Sequence, residues 1–160
     1  MTIPFPARAT VDGKGILHME MVDMSTQELI RIALKSRERA YTPYSGFAVG
    51  AALEAANGKV YGGCNIENAA HTPASCAERT AFFKAVYDGE RSFRRIAIAG
   101  GKAGEAPKEL CAPCGVCRQV MMEFCDPETF EIILAVSEEN YQTYLLKDLL
   151  PLGFGPKSLE

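Results

Sequence analysis

Apolar and polar positions change period several times along this 160-residue chain, and each change marks an element. In STQELIRIALKSRERAY (25–41), Ser25 with Glu28 three positions on is a capping-box pattern. Leu29, Ile32, Ala33, Ser36 and Ala40 follow as a mostly apolar stripe at helical spacing, and the helix must stop before Pro43. FAVGAALEA (47–55) reads as a strand rich in small residues, Asn57-Gly58 as a hairpin turn, and KVYGGCNI (59–66) as the returning strand. ASCAERTAFFKAVYDG (74–89) predicts a helix ending at Gly89. RRIAIAG (94–100) is a short apolar strand, followed by a loop to Pro113 and a helix over CGVCRQVMMEF (114–124). FEIILAV (130–136) is a further apolar strand, YQTYLL (141–146) an edge strand, and KDLLP (147–151) one helical turn before a Gly/Pro-punctuated tail.

Helix, hairpin, helix, strand, helix, strand, strand is an α/β order. The hairpin requires antiparallel pairing, and the strand–helix–strand unit a parallel pair with a right-handed crossover. The expected fold is a three-layer α/β/α arrangement around a mixed, roughly five-stranded sheet. The strands holding Ile96, Ile98 and Ile132 to Val136 are near-continuous apolar runs, as interior strands should be. Residues 1–22 read as a loose or extended N-terminal arm, 23–156 as a single domain and 157–160 as a tail.

The chain is long enough to bury roughly two-thirds of its unfolded surface without a covalent staple. A formal net charge of −3 with no basic block argues against nucleic acid or a membrane surface as the main partner. No apolar run approaches the ~20 residues that span a bilayer. Six cysteines change the picture more. Without the apolar h-region of a secretory signal, a reducing cytoplasmic location is expected, where clustered thiols bind metal or do chemistry. Buried apolar thiols remain the reading for Cys64 and Cys125.

The informative stretches are SCAERT (75–80) and CAPCGVCR (111–118). Cys76 opens one predicted helix, and Cys114 with Cys117 opens another. Residues three apart on a helix share a face, so Cys114 and Cys117 can point at one ion. Pro113 occupies a first-turn position where its missing N–H costs nothing. Helix N-termini offer free N–H groups and a positive dipole end, which favour the metal-binding thiolate. Three soft ligands with an open fourth position describe a catalytic zinc. Cys111 reads as structural, with a fourth ligand as the alternative. Three thiolates leave a zinc site with a formal charge of about −1, and Arg79, one turn beyond Cys76, can compensate by donating to sulfur. A water activated by such a metal needs a base and a leaving amine an acid. Glu78, a carboxylate beside the metal in a dry pocket, can be both.

C-A-E at 76–78 with P-C-G-V-C at 113–117 resembles the zinc nucleoside deaminases. Cys76 stands where the tRNA-, DNA- and mRNA-editing members hold His, and the three-cysteine form resembles the small homotetrameric, zinc-dependent cytidine deaminases. AYTPYSGFAVGAAL, GCNIENAA, CAERTA, PCGVCRQVMMEF and LLPLGF extend the resemblance over about 25–154. It implies hydrolytic deamination of cytidine and deoxycytidine to uridine and deoxyuridine in pyrimidine salvage. It also implies one Zn2+ per subunit, a nucleoside substrate and active sites at the subunit interfaces of a homotetramer. It implies roles as well: Asn65 and Glu67 on the ribose 3′-hydroxyl, Phe47 against the pyrimidine ring, the Ala77 N–H on the base carbonyl. Phe154 would reach a neighbouring subunit's pocket, with Arg118 and Gln119 in support. Relatives often carry tyrosine after NIENAA, whereas this chain has His71.

Three alternatives accompany this reading. C-x-x-C-x-x-C at 111–117 with Cys125 loosely resembles an iron–sulfur run, although the last spacing is too long. A structural zinc module would recruit Cys111 as fourth ligand. A deaminase of a modified nucleoside such as blasticidin S stays within the superfamily, but NIEN favours an unmodified ribose.

Overall fold

The structure, a computed structural model, describes residues 7–11, 17–21 and 24–159. Its frame is a five-stranded sheet built from β3 (Phe47–Ala55), β4 (Val60–Cys64), β5 (Phe93–Lys102), β6 (Glu131–Ala135) and β7 (Tyr141–Leu145), in the order β4-β3-β5-β6-β7. β3 pairs antiparallel with both β4 and β5, β5 pairs parallel with β6, and β7 closes the edge antiparallel to β6. The parallel pair is bridged by α3 (Gly115–Phe124), and Gly58 turns the β3–β4 hairpin at φ 85°. The sheet is therefore mixed, with both Ile-rich strands in its interior, as their apolar runs require.

Alternation along the strands splits the core in two. Leu53, Ile96, Ile98, Ile132 and Leu134 face α2 (Ala77–Tyr87) and α3, with Phe82, Met121 and Phe130 filling that side. Ala52, Ala97, Ile133 and Ala135 face Leu29, Ile30 and Ala33 of α1 (Thr26–Arg37). The three-layer α/β/α arrangement follows from this period-2 division. Small residues let the helices sit close. A Cβ on Gly63 of β4 would strike the Ala77 carbonyl and lie 2.6 Å from the Ala81 nitrogen, so the start of α2 rests almost on bare backbone.

α1 begins as its sequence announces. Ser25 Oγ accepts from the Glu28 N–H at 3.2 Å, and the Glu28 carboxylate accepts from the Ser25 N–H at 3.1 Å. Beside this cap, Arg95 donates to buried Glu54 at 2.5 Å, to Thr26 Oγ1 at 3.1 Å and to the Met24 carbonyl, tying the helix start to the sheet. The buried ridge differs from the expected stripe. Leu29 and Ala33 are on it, but Ile30 and Arg37 replace Ile32, Ser36 and Ala40. The reason is Arg37, the last helical residue, whose guanidinium donates to the carbonyls of Ala48 (2.9 Å), Glu105 (2.8 Å) and Lys102 (2.5 Å). Three backbone acceptors satisfy a buried cation that charge alone assigns to solvent, and they pin the loop after β5 to α1.

Within the expected arm, β1 (Ala7–Val11) and β2 (Leu17–Met21) pair antiparallel from Ala7↔Met21 to Val11↔Leu17, an element the residue pattern did not announce. The remainder of 1–22, with residue 23 and Glu160, lies outside the described residues. The single turn after β7 is α4 (Leu146–Leu149), and a 3-10 turn, Pro156–Ser158, follows in the tail.

Candidate active site

α2 and α3 present their N-termini to the same point. Cys76 is the N-cap of α2 (φ −73°, ψ 158°) and Cys114 the N-cap of α3 (φ −68°, ψ 165°). Neither sulfur caps its own helix. They lie 3.9 Å from each other, with Cys117 Sγ 3.6 Å from that of Cys114. All three sulfurs fall within 4.8 Å of one another. The two cysteine stretches therefore meet in space, through the i, i+3 face of α3 on one side and the first position of α2 on the other.

The charge distribution suits a cation. Cys76 is pushed down to about 5, chiefly by a hydrogen bond from the Cys117 thiol, with Arg79 and Cys114 adding to it. Cys117, which gives that hydrogen bond and is buried, is pushed up. Arg79 sets one Nη 3.7 Å from Cys76 Sγ and 3.0 Å from the Ala74 carbonyl. Its Nε is buried with no partner, an orphaned donor beside the sulfurs. Glu78 follows in the first turn of α2 at 4 % exposure. Burial pushes its carboxyl up to about 7, and the negative charge on Cys76 acts in the same direction. A carboxyl that is easily protonated thus stands two residues from the thiol most readily ionised.

The donor set fits zinc. Three sulfurs from two helix termini, a guanidinium to offset their charge and an adjoining carboxyl are what a three-ligand site with one open position requires. Cys111 is not a member of this cluster among the described residues. Its sulfur packs against Gly100, and burial foremost pushes the thiol up to about 11. Cys125, which the iron–sulfur alternative needs, is buried at the far end of α3 with its thiol pushed up by burial. Neither alternative finds its fourth ligand here.

The remaining candidates fall into two groups. Ala77 is the first residue of α2, so its N–H belongs to the first turn, where no intrahelical acceptor exists. Phe47 opens β3 and is 45 % exposed. Asn65 and Glu67 brace the loop that leads to Phe47. Asn65 accepts from the Val49 N–H (2.8 Å) and donates to the Phe47 carbonyl (2.9 Å). Glu67 accepts from the N–H groups of Tyr44 (2.9 Å) and Ser45 (3.3 Å), which hold its carboxyl below the usual range together with the Ser45 hydroxyl, the largest influence. Only the polar pair in NIEN pointed to these contacts.

On the other side, Arg118 donates to the carbonyls of Pro113 (2.8 Å) and Leu149 (2.6 Å), and Gln119 to that of Phe154 (2.8 Å). These bonds moor the chain's tail on α3, leaving the Phe154 side chain exposed. His71 adopts a left-handed φ of 59° in a turn closed onto the Asn68 carbonyl, with its ring centroid 6.4 Å from that of Tyr44.

A fold of this kind with a three-sulfur site at two helix N-termini belongs to the metal-dependent deaminase class. Comparison with known proteins is specific. Residues 23–132 match the cytidine and deoxycytidylate deaminase zinc-binding region. The chain is 46 % identical to the cytidine deaminase of Sporosarcina psychrophila over 136 residues, covering 85 % of this chain and 96 % of that one. It is 44 % identical to the cytidine deaminase of Halalkalibacterium halodurans over 82 % of this chain and 95 % of that protein. Among solved structures, the cytidine deaminase of Burkholderia pseudomallei superposes with a TM-score of 0.74 at 45 % identity, covering 82 % of this chain and all of that one. That of Mycobacterium tuberculosis superposes with 0.69 at 33 % identity, covering 83 % and 99 %. The chain belongs to the cytidine and deoxycytidylate deaminase family.

Proposed function

We propose that this chain is a hydrolytic cytidine deaminase, a hydrolase that converts cytidine, and deoxycytidine with it, to uridine and deoxyuridine with release of ammonia. The observation that carries the reading is the meeting of Cys76, Cys114 and Cys117 beside buried Glu78. Those three thiols hold one zinc per subunit. When bound, the metal makes water nucleophilic at neutral pH through Lewis acidity.

Glu78 carries the protons. Its carboxylate accepts one from the attacking water and delivers it to N3 of the cytosine ring as the hydroxyl adds at C4. It then takes the hydroxyl proton and hands it to the amine on C4, the C4–N bond breaks, and ammonia departs. Water supplies the oxygen and both hydrogens, so the sum is cytidine plus water to uridine plus ammonia. Burial suits Glu78 to both directions of transfer. Arg79 offsets the sulfur charge, the Ala77 N–H orients the base carbonyl, and Phe47 packs on the pyrimidine. Asn65 and Glu67, already fixed on the Tyr44–Phe47 loop, contact the ribose.

The active assembly is a homotetramer in which Phe154 enters a neighbour's pocket. Its support is the resemblance in sequence together with large apolar side chains left outside, Phe83, Tyr87 and Phe154. Six unpaired cysteines suit a reducing, cytoplasmic compartment. No described helix is long and apolar enough to cross a membrane.

The test follows the loss of cytidine absorbance and determines metal on the same sample. Turnover with about one zinc per chain supports the reading. A folded, zinc-loaded protein that leaves cytidine and deoxycytidine unchanged overturns it.

A further inference from the structure

Phe47 does not hold its own ring in place. It is the first residue of β3, opposite Lys102 of β5, and Gly100 lies two residues further along the same strand opposite Val49. A Cβ on Gly100 would stand 2.5 Å from Cys111 Sγ, 2.7 Å from Cys111 Cβ and 3.3 Å from Cε1 of Phe47. The thiol and the ring edge thus both lie over one bare Cα, leaving no room there for a methyl group. Next to them is a cavity of about 290 Å³ whose lining includes Phe47, Gly100, Leu110 and Cys111. The ring has space to swing into on that side, and Cys111 lines the same space. A half-buried thiol held in its uncharged form behaves there as a small apolar group.

We infer that Gly100 and Cys111 are a pair of positioning residues that set the tilt of the Phe47 ring, and through it the affinity for the pyrimidine base. The inference rests on the proposed contact between Phe47 and the base. Cys111 takes no part in metal binding or proton transfer, and Gly100 contributes only the absence of a side chain. Truncating the thiol joins its volume to the neighbouring cavity and lets the ring fall away from the base. Adding a methyl at position 100 drives thiol and ring apart. An aromatic face packed on the base serves substrate and transition state alike, so its misplacement raises KM and leaves kcat nearly unchanged.

The experiment compares wild type, Cys111→Ala, Cys111→Ser and Gly100→Ala for cytidine deamination, with zinc content measured on each. Cys111→Ala and Gly100→Ala are expected to raise KM about tenfold, the scale set by a group or two in an apolar pocket, with kcat within about twofold and zinc retained. Cys111→Ser, which keeps an atom at the γ position beside the ring, should return KM to within about twofold of wild type. Should Gly100→Ala fail to fold, Cys111→Ala decides, because it only removes a half-buried sulfur. An unchanged KM in Cys111→Ala, or a fall in kcat at constant KM, overturns the inference while leaving the proposed function intact. A zinc-loaded wild type without cytidine turnover removes both.

Discussion

The helix starts of this protein follow two different rules. α1 opens with Ser25 and Glu28, whose polar atoms are used up on each other's backbone. α2 and α3 open with Cys76 and Cys114, and neither side chain caps its helix. A missing cap costs a helix about 1 kcal/mol. Among its three longer helices, the chain accepts that at the two ends which converge and avoids it at the one which does not. Local stability has been given up where first-turn N–H groups and sulfurs are needed for something outside the helix, as functional sites commonly do.

Changes at the uncapped ends should therefore act on chemistry and changes at the capped end on stability alone. The largest effect is expected for Cys114→Ala, which removes one of the three proposed metal ligands. Zinc should be lost and turnover should drop below detection, read by metal analysis with the activity assay. A zinc-replete variant would deny Cys114 its ligand role. Next comes Glu78→Gln, which keeps the shape and removes the proposed proton carrier. Turnover should fall by ~10²–10⁴ with zinc retained, and a near-normal rate would dismiss Glu78 as acid and base. Gly63→Ala probes the seat of α2. A methyl there meets the backbone of Ala77 and Ala81, so denaturant unfolding should show a loss of about 1–3 kcal/mol, accompanied by weaker zinc retention because Cys76 moves with the helix.

The capped end should give the smallest response. Ser25→Ala is expected to lose about 1 kcal/mol in unfolding and nothing in kcat or KM. Glu28 adds a pH signature. Hydrogen bonds from Ser25 hold its folded pKa below the ordinary glutamate value. The unfolded chain therefore binds the proton more readily. The stabilisation is complete above about pH 4.3 and fades as pH falls through the folded pKa. Glu28→Gln should flatten the acid limb of stability in that window, and an unchanged limb would remove Glu28 from the account.

Features written in adjacent residues were the ones legible in the sequence. The capping box at Ser25, the Asn57-Gly58 turn, the helix end at Gly89 and the placement of Cys76 and Cys114 at helix starts each depend on neighbours a few positions apart. The mixed sheet followed from the order of elements, and the three-thiol cluster from spacing joined to family resemblance. What escaped depends on partners far away in the chain. Arg37 continues the stripe of Leu29 and Ala33, but a cation is accommodated there because carbonyls at 48, 102 and 105 surround it, partners that no local pattern encodes. Asn65 and Glu67, to which the resemblance assigns ribose contacts, brace the 44–49 backbone. Gly100 looked like the end of a strand, and only the register of β3 on β5 reveals what its missing side chain admits. The β1–β2 pairing lies in a segment whose Pro, Gly and mixed polar residues carry no strand pattern.

Cys76 and Cys114 are separated by 38 positions, and the span between them contains all of α2 and β5. An ion gripped by both is a cross-link closing a long loop. Like a disulfide, it restricts the unfolded ensemble, at an entropic free-energy cost that grows as roughly (3/2)RT ln n. Loading the metal and completing the fold are in that sense one event, and a chelator withdraws a tether as well as a reagent.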